Sequence, residues 1–235
     1  MIPEEIKAVF FDAGGTLFHP YPSVGEIYAR VAAPYGTRAD AGELQKVFKD
    51  AWMKRDGLAS LKSHSNEKIE KDWWRSLVKE VFLQVGGVER FDPFFEELYD
   101  VFASPEVWRL YPEVTEVLNE LKGRGKRLAI ISNWDSRLFE LCHGLGVKSY
   151  FEFILASAVV GASKPSPRIF EEALQRMGIT ASEALHVGDS YEDDVLGAER
   201  VGIQVILVDR HAERKGDFSA SRTLKMVSGL RELLG

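Results

Sequence analysis

KAVFFDAGGTLF, residues 7–18, is a short apolar run that ends in an acid and two glycines. A run of this length closed by turn residues reads as a buried strand entering a turn. Its acid, Asp12, follows directly on AVFF. A carboxylate so close to a core is costly unless a cation or hydrogen-bond donors compensate it.

Runs of the same kind recur only after residue 125: RLAIISN at 127–133, FEFILAS at 151–157, ALHVGD at 184–189 and QVILVD at 204–209. Helical periods fill the gaps. The segment 166–178 carries Pro167 in its first turn, places Ile169, Phe170, Ala173, Leu174 and Met177 on one face and stops at a glycine. Strands alternating with such helices predict an α/β fold, a Rossmann-like parallel sheet covered on both faces. Right-handed crossovers would bring the strand C-termini to one edge, where such sheets bind ligands.

Between the first strand and this array, every clear apolar pattern is helical. Ile69, Trp73, Leu77, Val78, Val81, Phe82 and Val85 fall at spacings of three and four within 66–86, an amphipathic helix. Further helices are expected near 23–35, 40–55 and 91–103. Trp73 and Trp74, with Phe91, Phe94 and Phe95, read as core packing in preference to a stacking box for a ligand. The block is thus an all-helical insertion with its own small core. The expected division is 1–18 with 106–235 as the sheet domain and 19–105 as the helical one. HPYPS at 19–23 and SPEVWRLYP at 104–112 read as linkers, and 213–222 as an exposed loop before a last helix.

Apolar residues are 45% and charged residues 28% of the 235, an ordinary globular balance. The net charge of -6 provides no basic field for a nucleic-acid backbone. Runs such as LAII at 128–131 and VILV at 205–208 fall far short of the ~20 residues that span a bilayer. The N-terminal sequence has no signal-peptide pattern, so the cytoplasm is the expected compartment. The single cysteine, Cys142, forms no intrachain disulfide and sits among Leu141, Leu145 and Val147 as a packing residue.

Three strand ends that should meet at one edge carry polar residues: Asp12, Ser132 with Asn133, and Asp189. Asp12 and Asp189 offer the hard oxygens that Mg²⁺ prefers, and Asp193 and Asp194 follow where they can orient metal-bound waters. Lys164 supplies the positive charge that a carboxylate cluster needs to accept an anion, and it precedes a helix N-terminus. Each signal alone is weak; their order along the strand ends is specific.

These segments resemble the haloacid dehalogenase superfamily over essentially the whole chain. FFDAGGTLF at 10–18, IISN at 130–133, SKPSPRIF at 163–170 and HVGDSYEDDVLGA at 186–198 are similar to its four motifs. DAGGTL, ISNWD, KPSPRIF and HVGDSYEDD further resemble one particular branch. The resemblance implies Asp12 as nucleophile, Ser132 and Lys164 as contacts for the substrate anion, and a helical cap domain that closes over the site. It also implies a metal held by Asp12, the Gly14 carbonyl and Asp189. Substrate-binding residues are then Ala13 and Gly14, through their backbone, with Ser132, Asn133 and Lys164.

One position departs from the family pattern. Phosphatases of the family usually carry a second Asp two residues after the nucleophile, as general acid and base; here that position is Gly14. Such catalysis is worth about 10²-fold to 10⁴-fold, so ordinary alkyl phosphates should be poor substrates. Three functions follow. The first is a Mg²⁺-dependent phosphohydrolase of a small phosphorylated metabolite, favouring leaving groups that need no proton unless a residue such as His19 substitutes. The second is a dehalogenase-like or phosphonatase-like hydrolase, and the third a phosphate-binding protein of little turnover.

Overall fold

In the computed structural model the described residues are 2–55, 58, 61, 65–210 and 225–235. Strand β1 (Ala8–Phe11) is buried throughout and lies at the centre of the main sheet. Beside it run β4 (Arg127–Ser132) and β6 (Ala184–Gly188), then β5 (Phe153–Ala156) beyond β4, and β7 (Gln204–Val208) with β8 (Lys225–Val227) beyond β6. All pairs are parallel, with Phe11 opposite both Ile130 and Val187.

The twofold period of a strand divides β1 between two cores. Val9 and Phe11 pack with Leu128, Ile130, Leu185 and Val187 against α5 (Val114–Gly123) and α6 (Arg137–Gly144). Ala8 and Phe10 pack with Ala129, Ile131 and Leu155 against α8 (Pro167–Met177), which ends at Gly178 with φ 65°. Cys142 lies in the first of these cores, where burial pushes its thiol up to about 12. It is a packing residue.

Residues 24–101 form α1 (Val24–Ala32), α2 (Ala41–Lys54), α3 (Glu67–Gln84) and α4 (Phe91–Val101) around a separate core of Ile27, Leu44, Leu77, Phe82 and Phe94. Ser23, Asp40 and Asn66 cap the first three, each side-chain oxygen accepting from the backbone N–H three residues on. The apolar stripe of α3 runs as its spacing predicts, with Glu70 buried on it as well.

Three strands are additional to the sequence reading. Both presumed linkers contain strands: β2 (Phe18–Pro20) and β3 (Trp108–Leu110) pair antiparallel, Phe18 opposite Leu110. The two crossings between sheet and helices are therefore tied into one ribbon. The edge strand β8 has three residues, too few to show a period. The expected loop at 213–222 lies outside the described residues, and the chain ends in a 3₁₀ helix over Leu230–Leu234. Among the described residues no helix is long and apolar enough to cross a membrane.

Candidate active site

Strand register brings the predicted polar residues to one edge of the sheet. Asp12 leaves β1 with its N–H donating to Val187 O at 2.9 Å. Ser132, the last residue of β4, donates its hydroxyl to Asp12 Oδ1 at 2.9 Å. Lys164, from the loop before α8, donates to the same Oδ1 at 2.7 Å and to Asp194 Oδ1 at 2.6 Å. Asp189 follows β6, and a π-helical turn over Tyr191–Val195 carries Asp193 and Asp194 back toward Lys164. π turns of this kind recur at functional sites because the extra residue redirects side chains.

The buried Lys164 keeps its charge. Burial opposes the ammonium, but Asp12, Asp194 and Asp193 outweigh it and raise its pKa. Burial pushes Asp12 upward; Lys164 pulls it down and Asp194 adds to the rise. For Asp194 the net direction is opposite: burial is again the largest influence and raises it, yet Lys164 and His186 together hold it well below the usual carboxylate range. Asp193 is pushed up to about 7, chiefly by burial and then by Asp194 and Asp12 against Lys164.

Asp12, Asp189 and Asp194 each bring a carboxylate oxygen within 4.8 Å of the others. Asp194 is nevertheless committed elsewhere. Its Oδ1 accepts from Lys164 and lies 2.8 Å from His186 Nε2, and its Oδ2 accepts from the Ser190 N–H at 2.9 Å. It is the counter-ion of Lys164, a closer role than orienting water. Asp12 and Asp189 supply the other two oxygens of the cluster. Gly15, at φ 82°, permits their approach: a Cβ there would fall 2.4 Å from Asp189 Oδ2. Asp193 Oδ1 is buried without a hydrogen-bond partner. The donors are hard oxygens throughout, a set that fits Mg²⁺.

Asn133 clamps the lysine loop: its Nδ2 donates to Lys164 O at 2.9 Å, and its Oδ1 accepts from Lys164 N at 2.7 Å. Ala13 is buried, while Gly14 and Gly15 line the cavity above Asp12. His19 stays apart; its ring packs on Tyr111 at 4.7 Å and its Nδ1 lies 3.0 Å from Pro20 O.

Several participants escaped the sequence reading. Arg210, just after β7, donates to Thr16 O at 2.7 Å and Gly15 O at 3.2 Å, bracing the loop after Asp12. His186 was visible only as an interior strand residue. Trp134, next to Asn133, lies against Gly14; of the aromatic group Trp73, Phe94 and Phe95 are core as expected, and Trp74 and Phe95 also reach the cavity. The signal for Trp134 was its place directly after a motif.

The model of the haloacid dehalogenase-like hydrolases matches residues 6–202. Mouse haloacid dehalogenase-like hydrolase domain-containing protein 3 is 33% identical over 206 residues, 87% of this chain and 82% of that protein. Glyceraldehyde 3-phosphate phosphatase of Methanothermobacter thermautotrophicus is 31% identical over 248 residues, 97% of this chain and 100% of that one. Among solved structures, a HAD phosphatase from Thermococcus onnurineus superposes with a TM-score of 0.67 at 25% identity, covering 97% of this chain and 96% of that one.

Proposed function

We propose, since this chain belongs to the haloacid dehalogenase-like hydrolase family, that it is a Mg²⁺-dependent phosphatase of small phosphorylated metabolites working through an aspartyl phosphate on Asp12. Membership makes it a hydrolase. The observation that carries the phosphoryl reading is Lys164, a buried ammonium shared by Asp12 and Asp194 beside further carboxylates. Halide displacement would leave Asp189 and Asp193 without a purpose; a phosphoryl group balanced by two cations gives them one.

Asp12, Asp189 and the Gly14 carbonyl would hold Mg²⁺, which when bound offsets the negative charge of the phosphoryl oxygens. Asp12 attacks phosphorus, the bond to the leaving oxygen breaks, and water then cleaves the acyl phosphate to restore the carboxylate. Ser132, Lys164 and the N–H groups of Ala13 and Gly14 donate to the transferring group. Asn133 holds the Lys164 backbone in place. Residues 19–105 act as a cap over the core formed by 1–18 and 106–235, excluding water during transfer.

Borohydride reduction during turnover of acetyl phosphate tests this, because it converts an aspartyl phosphate into homoserine. The expected product is homoserine at position 12, formed with Mg²⁺ and not with chelator. Turnover without that mark would overturn the reading.

A further inference from the structure

A single cavity of about 650 Å³ extends from Asp12, Lys164 and Asp193 up into the helical block. Its far walls are Trp52, Trp74, Trp108, Trp134, Val78 and Leu98. Trp52 and Trp74 stack at 5.5 Å and 27°, and Trp108 meets Trp134 at 5.1 Å. We infer that this compartment receives the leaving group, and that the substrate is the phosphate monoester of a bulky, uncharged aromatic alcohol. The inference rests on the phosphatase reading and names the substrate class of that site.

Three observations lead there. First, such a wall is more apolar than a sugar or glycerol phosphate needs, since several hydroxyls of those leaving groups would lose water against indole and aliphatic side chains. Second, the described lining offers no free charge to a second anion. Among its described lining residues the cations are Lys164 and Arg137. Lys164 belongs to the phosphoryl end. Arg137 is paired in bidentate fashion with Asp135, through Nε at 2.8 Å and Nη2 at 2.7 Å, and its Nη1 donates to Tyr99 O at 2.7 Å. Third, a phenol-type oxygen leaves without a proton from the protein, and Gly14 has none to give. The apolar wall, the lack of a free cation among the described lining residues and the missing acid at position 14 agree on one leaving group.

The room and the mixture of walls distinguish this from a cage for a quaternary ammonium. Such cages are built from aromatic faces around a small cation. Here aliphatic side chains share the wall with the indoles, and the acids among the described lining residues belong to the phosphoryl end.

The test uses the full chain with Mg²⁺ and follows phosphate release from four probes: acetyl, phenyl, 2-naphthyl and 4-carboxyphenyl phosphate. Phenol and 2-naphthol have similar acidities, so their esters differ mainly in apolar area. We expect kcat/KM about 5-fold higher for the naphthyl ester, carried by KM, as an added buried ring requires. The carboxyphenyl ester, despite its better leaving group, should fall about 10-fold below phenyl phosphate because its carboxylate finds no unpaired cation. Trp74→Ala should lower kcat/KM for the naphthyl ester several-fold more than for acetyl phosphate. Equal rates across the aryl esters, or preference for the carboxylate, would overturn the inference while acetyl phosphate turnover upheld the phosphatase. No release from any probe would overturn both.

Discussion

A Cβ placed on Gly14 would lie 2.9 Å from Cζ3 of Trp134, so the indole already occupies the volume that a side chain at position 14 would need. The ring has little freedom to yield. It packs edge-on against Phe18 at 5.7 Å and tilted against Trp108 at 5.1 Å, and its backbone N–H is anchored by donating to Ser157 Oγ at 2.9 Å. The missing acid and the aromatic wall are thus two halves of one arrangement. Restoring one requires removing the other.

Gly14→Asp alone should therefore fail to improve hydrolysis of an alkyl phosphate such as glycerol 2-phosphate, and should cost about 1–3 kcal/mol of stability through overpacking. The double variant Gly14→Asp/Trp134→Ala gives the carboxyl group room. It should hydrolyse that substrate about 10-fold faster than the single variant, a part of the usual general-acid contribution. Initial rates and thermal melts of both variants check this. A single variant as active as the double would mean that Trp134 is no obstacle.

Asp12→Asn should abolish phosphate release, by at least about 10³-fold, because an amide is a far weaker nucleophile than a carboxylate. The fold should survive, since Lys164 keeps its ion pair with Asp194 at 2.6 Å. Phosphate release measured beside a circular dichroism melt separates the two effects. Residual activity near wild type would remove Asp12 from the mechanism.

Asp189→Ala should raise the Mg²⁺ concentration for half-maximal rate by about 10-fold or more, as loss of a carboxylate ligand does. The alternative is that Asp189 merely shapes the turn after β6. It predicts a lower melting temperature with an unchanged Mg²⁺ titration, and a rate titration of the variant distinguishes the outcomes.

The elements that a reader could find in the sequence are those whose signal is local. AVFF, LAII and VILV announce strands by composition, and the stripe from Trp73 to Phe82 announces a helix by period. What escaped depends on partners far away in the chain. Arg210 meets Gly15 and Thr16 across almost the whole sequence. Phe18 pairs with Leu110 only because the helical block returns the chain to where it left. Asp193 and Asp194 look equivalent in the sequence. Only the π turn decides that Asp194 takes Lys164 and His186.

Glu70 yields a prediction of another kind, because it joins the helical block to the sheet domain. It lies on α3, 0% exposed, and accepts hydrogen bonds from Ser65 of its own block and from Ser157 after β5. Burial raises its pKa from 4.5 to about 7; the two serines oppose this, and Asp135 and Glu67 add to it. The folded protein therefore holds a proton that the unfolded chain has released through the interval from 4.5 to about 7. Stability falls wherever the native state binds more protons, so the contribution present below the lower value is lost as pH rises through the upper one. Its size is on the order of 3 kcal/mol. Glu70→Gln keeps the shape without the charge and should flatten this dependence, making the variant the more stable protein above neutrality. Urea melts of both proteins between about pH 5 and pH 8 check it, the difference between them isolating this one group from every other carboxylate. Parallel stability curves would show that Glu70 does not change protonation across this range.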